Sequence, residues 1–313
     1  MNSLLHAAEL APKKRNCSPR SPEEFEAAVT RHTAWAVGRH LLAPQDVPHY
    51  RLALPDLIGH AYPRARGPEL DLLLDILGWF TILDDRFDGP VGHRPKDAHA
   101  LIDPLLGILR YPGPPAIAPE DPLVAAWRDL WHRQAGPMPD TWRHRAAAEW
   151  QACLTTFLAE THHRAGGTTP DLPETALLRR HASCLYPFMN MLERVRGTEA
   201  PALLLAEPAL YRLRAYTADA ATLINDLCSL QREEGLPAVQ FNMVMTLQRT
   251  HGLSRNQAVQ VVRTRVRRLR DDSEVLRGHL LRRHPAAGWY LNGTRDMVDG
   301  LHVWAGTSRR YHP

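Results

Sequence analysis

Residues 68–88 read PELDLLLDILGWFTILDDRFD, an apolar run that ends in three aspartates. Between Asp71 and Asp88 the run contains no proline and a single glycine, Gly78, so its pattern predicts a helix. Positions i and i+4 of a helix share one face, so Asp84 and Asp88 point the same way at the end of a buried segment. Bare buried carboxylates repel each other and are costly to desolvate. A hard divalent cation resolves both problems, and Mg²⁺ favours carboxylate oxygens together with substrate phosphate.

A second polar stripe lies far downstream, in the helical pattern TADAATLINDLCSLQREE of residues 217–234. Asn225, Ser229 and Glu233 recur there at i, i+4 and i+8, so they share one helix face. The amide, the hydroxyl and the carboxylate all offer oxygen to Mg²⁺ but carry only one formal charge between them. Such a site can accept a metal ion that arrives with an anionic ligand, and Arg232 beside the stripe can contact that anion.

These two stripes and two further segments resemble the motifs of the bacterial class I terpene synthases. DDRFD at 84–88 is similar to the family's aspartate-rich motif, and NDLCSLQRE at 225–233 is similar to its second metal-binding motif. RRHAS at 179–183 resembles the segment that carries the family's diphosphate-sensing arginine, and WAGTSRRY at 304–311 resembles its closing Trp-x5-Arg-Tyr signature. The four motifs follow the family's order and separations, and the resemblance extends from about residue 30 to residue 311.

The resemblance implies an all-α, single-domain helical bundle with a central apolar active-site cavity. It implies an enzyme that ionises a linear isoprenyl diphosphate, releases diphosphate and turns the carbocation into a terpene by cyclisation or quenching. Three Mg²⁺ ions and several arginines would offset the charge of the leaving group. Farnesyl diphosphate is the default substrate for a bacterial chain of this size, and geranyl diphosphate is the nearest competitor. Homodimers are common among similar proteins.

The resemblance also assigns roles to individual residues. The metal ligands would be Asp84, Asp88, Asn225, Ser229 and Glu233. The contacts of the diphosphate would be Arg179, Arg232, Arg310 and Tyr311. Asp85 would pair with Arg310 as the site closes, and Ser183 stands at the effector position, where the family often has glycine. Arg180 competes with Arg179 as the sensor, but Arg179 has the family's separation from Asn225 and places Ser183 at i+4.

Aromatic side chains would stabilise the carbocation, because their faces attract cations without acting as nucleophiles. The candidates are Trp79, Phe80, Tyr186, Phe188 and Trp304. Thr81 occupies the position three residues before the first aspartate, where family members often carry phenylalanine. The cavity lining beside the metal site therefore differs from the usual one, and the product is expected to differ with it.

Helical periodicity dominates the rest of the chain, and strand signals are nearly absent. Ser21 and Ser254 have the residue patterns of helix starts. The predicted helices cover residues 22–41, 52–60, 68–88, 97–109, 121–133, 140–163, 173–195, 207–233, 237–250, 255–283 and 286–307. An all-α bundle follows, with the two polar stripes facing each other across the mouth of an apolar cavity.

The composition is that of an ordinary globular protein, with 44% hydrophobic and 23% charged residues among 313. No apolar run is long enough for a membrane span, and residues 1–20 have no apolar core of a signal peptide. We therefore expect a disordered tail at 1–20, one domain at 21–313 and a cytoplasmic location. The four cysteines have no metal-type spacing and are expected to be reduced: Cys17, Cys153, Cys184 and Cys228.

Four other functions fit the sequence less well. The basic stretch 262–270 suggests nucleic acid, but a solvated helix face explains it better, so no nucleic-acid partner is expected. A chain-elongating prenyltransferase needs a second Asp-Asp-x-x-Asp motif, and Asp271-Asp272 is followed by Val275 instead. Cyclisation by protonation would need Asp-x-Asp-Asp, which is absent. A helical binding protein descended from a synthase is disfavoured by the intact metal residues.

Overall fold

The computed structural model describes residues 21–110, 120–235 and 241–311, and within these ranges it contains no β-strand, which confirms the predicted all-α class. The α-helices of these ranges are α1 (Pro22–Gly38), α2 (Val47–Ala53), α3 (Asp56–Ala61), α4 (Gly67–Phe87), α5 (Pro95–Arg110), α6 (Pro122–Ala135), α7 (Asp140–Gly166), α8 (Leu172–Ala182), α9 (Leu185–Arg196), α10 (Ala202–Leu205), α11 (Pro208–Glu234), α12 (Met243–His251), α13 (Arg255–Arg283) and α14 (Gly288–Ala305). Short 3₁₀ turns lie at Pro44–Asp46, Pro90–His93 and Pro285–Ala287.

Both predicted helix starts are confirmed. The Ser21 hydroxyl accepts a hydrogen bond from the Glu24 amide at 3.1 Å, which caps α1. Ser254 and Gln257 form a reciprocal capping box at the start of α13. Local side-chain chemistry therefore decides where these helices begin.

Helix α4 lies in the centre of the bundle. Every residue from Leu72 to Trp79 is buried, and a helix that is apolar on all sides has to be enclosed by others. Trp79 is fully buried and stacks on Trp127 with ring centroids 4.4 Å apart. Its indole N–H donates to the Leu123 carbonyl at 2.8 Å, so Trp79 joins α4 to α6.

One apolar core extends from Ala28 in α1 to Ala305 in α14, and it includes residues of both α4 and α11. Helix α11 packs against α13, α14 and α8, and α4 packs against α1 and α6. The two helices that carry the predicted metal stripes are thus held in the same packed interior, whose low compressibility keeps their spacing constant.

The structure corrects the helix predicted for residues 173–195. It is broken at Ser183-Cys184 into α8 and α9, and Cys184 has the left-handed backbone angle φ 58°. The Ser183 amide turns back to the Arg179 carbonyl at 3.1 Å. Pro187 marks the break, because proline fits the first turn of a new helix but not a helix interior.

Two other helix predictions need correction. Residues 52–60 do not form one helix but belong to the ends of α2 and α3, which Leu54 and Pro55 separate. The helix predicted at 237–250 begins at Met243, and its first four residues lie outside the described ranges. The predicted tail at 1–20, with Cys17, also lies outside them.

Among the described residues, no helix combines the length and the apolar character needed to cross a bilayer. Cys153 and Cys184 are buried free thiols, and Cys228 is a half-buried one, as predicted.

Candidate active site

A cavity of about 220 Å³ opens between α3, α4, α7, α8, α9, α11 and α14. Its deep part is apolar, and the wall there is formed by Leu54, Leu57, Ile58, Ala61, Leu77, Met297 and Leu301. Charged and polar side chains of α4, α7, α8, α11 and the C-terminal segment surround its mouth. The predicted convergence of the two stripes is present, because Asp84, Asp88, Asn225, Ser229 and Glu233 all line this cavity.

The α4 side of the mouth carries three aspartates, Asp84, Asp85 and Asp88, which share two arginines. Asp84 is half exposed to the cavity, and its nearest cationic group is Arg310 at 3.9 Å. Enclosure by the protein raises the pKa of Asp84 to about 7, an effect that Asp88 strengthens and Arg310 opposes. Asp88 pairs with Arg232, and burial still raises its pKa above the ordinary value. Asp84 therefore lacks a close positive partner, and Asp88 has one in Arg232.

The α11 side carries the three oxygen donors of the second stripe. The Asn225 oxygen accepts from Arg179 at 3.2 Å, and its amide donates to the Tyr311 hydroxyl at 2.6 Å. The Ser229 hydroxyl donates to the Asn225 carbonyl at 2.9 Å. The Glu233 carboxylate has neither a hydrogen-bond nor an ion-pair partner among the described residues. An anionic group without a partner at a cavity mouth is a ready ligand for a cation.

The structure separates the two candidate sensor arginines. Arg179 lines the cavity and forms an ion pair with the fully buried Asp226, whose pKa burial raises to about 6. Arg180 does not line the cavity, and it forms a bidentate ion pair with Asp219 at 2.6 and 2.9 Å. Of the two arginines, Arg179 lines the cavity and Arg180 does not, and the choice of sensor stays a prediction.

The C-terminal segment closes one side of the mouth. The Trp304 indole and the Ser308 hydroxyl both donate to the Ala53 carbonyl, at 3.1 and 2.6 Å. This anchor places Arg310 against Asp85, with N–O distances of 2.8 and 3.4 Å. The Tyr311 ring meets the Trp304 ring edge to face, with centroids 5.4 Å apart. The predicted pairing of Asp85 with Arg310 is present in the structure.

The break between α8 and α9 supplies acceptors to the cavity wall. Ala182 and Ser183 both line the cavity, and their carbonyls accept no hydrogen bond within the described part of the chain. Pro187 explains the free carbonyl of Ser183, since its nitrogen has no hydrogen to donate from position i+4. The C-terminal end of α8 also carries partial negative charge. This side of the cavity favours positive charge.

Sequence reasoning missed Glu160 and Arg164 of α7, which both line the mouth. Glu160 is buried, burial raises its pKa, and its Oε1 atom has no hydrogen-bond partner in the described residues. Its Oε2 atom pairs with Arg164 at 3.3 Å. A signal was available, because Glu160 shares a helix face with the buried Cys153 and Phe157.

Three of the five candidate aromatics line the cavity, namely Phe80, Phe188 and Trp304. The other two lie outside the wall, which corrects their prediction. Trp79 is enclosed between α4 and α6. Tyr186 stacks on His181, with centroids 5.6 Å apart, and the Arg214 guanidinium lies 5.3 Å from its ring centre. Adjacent helix positions diverge by about 100°, so Phe80 faces the cavity while Trp79 does not.

The donors around the mouth fit a hard divalent cation such as Mg²⁺. They are carboxylate, amide and hydroxyl oxygens, and the set of candidate ligands includes no sulfur or imidazole. Within the described residues, no three acidic, histidine or cysteine side chains form a closed metal cage. Two half-sites that leave coordination positions open suit Mg²⁺, which keeps waters and takes phosphate oxygens of a substrate.

Known proteins resemble this chain over most of its length. Residues 75–272 match the family described as "Terpene synthase family 2, C-terminal metal binding". The pristinol synthase of Streptomyces pristinaespiralis is 32% identical over 315 residues, which cover 96% of this chain and 82% of that protein. The (-)-beta-caryophyllene synthase of Saccharothrix espanaensis, described as cyclising (2E,6E)-farnesyl diphosphate, is 33% identical over 248 residues, 76% of this chain and 69% of that protein.

A solved structure has the same architecture. The linalool/nerolidol synthase from Streptomyces clavuligerus, in complex with 2-fluorogeranyl diphosphate, superimposes with a TM-score of 0.83 at 27% identity, over 91% of this chain and 100% of that one. The family match includes α4 from Asp75 onward and all of α11, the two helices that meet at the cavity mouth. The chain belongs to the terpene synthases, a family of metal-binding enzymes that act on isoprenyl diphosphates.

Proposed function

We propose that this enzyme uses Mg²⁺ to ionise farnesyl diphosphate and converts the resulting carbocation into a sesquiterpene. One observation carries the proposal. Incompletely partnered carboxylates on α4 and the unpartnered Glu233 on α11 face one apolar cavity whose mouth is surrounded by arginines. That arrangement places charged groups at one end for a diphosphate and an apolar volume at the other for a hydrocarbon chain.

Asp84, Asp88, Asn225, Ser229 and Glu233 would hold three Mg²⁺ ions. Bound there, the ions neutralise the diphosphate as it leaves and so lower the barrier to ionisation. Arg179, Arg232, Arg310 and Tyr311 line the mouth and would donate to diphosphate oxygens. Arginine suits this task because its planar fork donates to two phosphate oxygens at once.

When substrate binds, the arginines would exchange their aspartate partners for the diphosphate, and this exchange would couple binding to closure of the site. Arg232 is paired with Asp88, and Arg310 with Asp85, in the structure. A diphosphate that arrives with metal ions gives these guanidinium groups a new anionic partner and gives the aspartates a new cationic one. The metal ions would also give a positive partner to Asp84, whose nearest cation is 3.9 Å away, and to Glu233, which has none among the described residues.

The inner part of the site would protect the carbocation from bulk water. Phe80, Phe188 and Trp304 line the cavity, where aromatic rings would stabilise positive charge. The free carbonyls of Ala182 and Ser183, at the negative end of α8, would stabilise positive charge on the opposite side. Ser183 would act in this way as the effector residue through its backbone.

Geranyl diphosphate is the second candidate substrate. The structural relative with a TM-score of 0.83 was solved with a geranyl analogue, whereas the caryophyllene synthase relative cyclises a farnesyl substrate. Chain elongation is not supported, because Asp271 and Asp272 lie on α13 and do not line the main cavity. A homodimer stays a prediction, which sedimentation of the purified protein would test, and the cytoplasmic location also stays a prediction.

The proposal is tested by incubating the protein with Mg²⁺ and either farnesyl or geranyl diphosphate. We expect release of diphosphate and of a C15 terpene from the farnesyl substrate, and loss of both when EDTA removes the metal. The double variant Asp84→Ala/Asn225→Ala should fold but release no diphosphate. Absence of diphosphate release from both substrates would refute the proposal and would favour a helical binding protein.

A further inference from the structure

One side chain in the deep part of the cavity differs from its apolar neighbours. Thr81 lines the wall three residues before Asp84, on the same face of α4 and about one turn deeper. Leu77, one turn deeper still, is apolar, as are the side chains that α3 and α14 contribute there. The hydroxyl of Thr81 therefore lies between the charged mouth and the apolar interior.

The Thr81 hydroxyl is also uncommitted. Threonine in a helix commonly donates to the carbonyl at i−4. Thr222, on the opposite wall, does so with the Ala218 carbonyl at 2.8 Å. Thr81 makes no hydrogen bond to any described residue. The other hydroxyls of the described wall are all engaged, those of Tyr62, Ser183, Thr222, Ser229 and Tyr311.

We infer that Thr81 holds one water molecule in the cavity, and that this water adds to the carbocation so that the enzyme releases a terpene alcohol. The inference rests on the proposed function and assigns the class of its product. A hydroxyl offers one donor and two acceptor positions, so Thr81 can bind a water and leave a lone pair of that water directed at the hydrocarbon.

Further polar partners for such a water line the same cavity. A buried water needs two to four polar neighbours, and an apolar cavity with none of them stays dry. The carbonyls of Ala182 and Ser183 are acceptors without a hydrogen bond in the described chain, and both residues line the cavity. The cavity thus contains an uncommitted hydroxyl and uncommitted carbonyl acceptors for a bound water.

The chemistry balances with groups that the reaction itself supplies. When the C–O bond of the substrate breaks, its electron pair leaves with diphosphate and the carbon becomes a cation. A lone pair of the water oxygen forms the new C–O bond. The protonated alcohol then gives its extra proton to the released diphosphate anion. Thr81 neither gains nor loses a proton, and a neutral hydroxyl is too weak a base to convert the cation to an alkene.

The test compares product ratios, not overall rates. Wild-type enzyme and Thr81→Val are incubated with Mg²⁺ and farnesyl or geranyl diphosphate in ¹⁸O-labelled water. The terpenes are then separated by gas chromatography and identified by mass spectrometry. We expect the main wild-type product to be an alcohol that carries ¹⁸O. Valine keeps the shape but removes the hydroxyl, so the alcohol-to-hydrocarbon ratio should fall by about tenfold, the scale of one lost hydrogen bond.

Two matched variants separate the hydroxyl from general damage to the cavity. Thr81→Ser keeps the hydroxyl and should keep the alcohol as the main product. Thr222→Val removes a hydroxyl from the same cavity that is already bonded to Ala218, and should leave the ratio within about twofold. A lost alcohol in Thr222→Val to the same degree as in Thr81→Val would overturn the inference.

Other outcomes are equally decisive. A wild-type enzyme that releases diphosphate and only hydrocarbons refutes the water site but leaves the proposed function intact. An unchanged alcohol ratio in Thr81→Val does the same. Absence of both diphosphate and terpene refutes the proposed function, and the inference with it. A thermal unfolding midpoint close to that of wild type shows that the variants are folded.

Discussion

Helix α4 contains two carboxylates in contrasting environments, one buried among partners and one facing the cavity. Asp75 accepts from the His32 ring at 2.8 Å and from Arg133 at 2.7 Å, and its side chain is 4% exposed. Asp84, nine positions later, is 50% exposed to the cavity, and its nearest cation, Arg310, is 3.9 Å away. Nine residues correspond to about two and a half helical turns, so the two carboxylates point to opposite sides of α4.

The difference in partners thus distinguishes a structural carboxylate, Asp75, from a functional one, Asp84. The side of α4 that carries Asp75 is packed tightly against other side chains, as the surroundings of Gly78 show. A Cβ atom at Gly78 would lie 2.4 Å from the Tyr50 hydroxyl and 2.6 Å from the His32 ring. On the Asp84 side the space is a cavity, and the missing positive charge has to come from a ligand.

The strongest test of this comparison removes the charge of Asp84. In Asp84→Asn we expect diphosphate release to fall by about a thousandfold, because a preorganised group at the charged end of the site is lost. The unfolding midpoint should stay unchanged or rise, since a poorly compensated charge disappears. Diphosphate release and thermal unfolding measure the two effects.

Asp272 provides the control for that variant. It is an exposed aspartate on α13 without an ion pair in the described chain. Asp272→Asn should leave both quantities close to wild type. Nearly full activity in Asp84→Asn would contradict the functional role of the cavity-facing carboxylate.

The complementary variant is Asp75→Asn. It leaves His32 and Arg133 without their anionic partner, so we expect the free energy of unfolding to fall by about 3 kcal/mol. The activity of the folded fraction should fall much less than in Asp84→Asn. Urea unfolding followed by circular dichroism gives the stability, and diphosphate release per folded molecule gives the activity.

Asp71→Asn on the same helix is the matched control for stability. Asp71 pairs with the half-exposed Arg31 at 2.8 Å, and a surface pair of this kind contributes about 1 kcal/mol or less. If both variants lost the same stability, enclosure of Asp75 would not explain its contribution to the stability of the fold, and the comparison would fail.

The smallest effect concerns pH. Enclosure raises the pKa of Asp84 to about 7, so a proton competes with Mg²⁺ below that pH and is released when the metal binds. Between about pH 8 and about pH 6 we expect the Mg²⁺ concentration for half-maximal diphosphate release to rise about tenfold, the effect of one competing proton. A value that does not change with pH would show that Asp84 is ionised throughout.

Residue patterns predicted the main elements well where the signal was local and repeated. The apolar run from Leu72 to Leu83 specified a central helix, and the i, i+4, i+8 stripe of α11 specified which of its residues share a face. The helix break at Cys184 was missed, because the apolar period continues through it and only Pro187 interrupts the pattern.

Contacts between segments far apart in the chain could not be predicted from helical periodicity. The sequence places Trp79 and Phe80 side by side, but only the packing of α6 against α4 decides that Trp79 is enclosed and Phe80 meets the cavity. Glu160 was missed for a related reason, since a single charge in an apolar helix face does not say which cavity it meets.

The amino-acid sequence by itself determined that the chain is helical and that it has two oxygen-rich stripes. These properties depend on spacing within a helix, which the covalent chain dictates. Tertiary structure alone decided which carboxylate keeps an internal partner, which arginine meets the cavity and which hydroxyl is left free. Those outcomes depend on distances between helices far apart in the chain, and they are settled when the helices pack against one another.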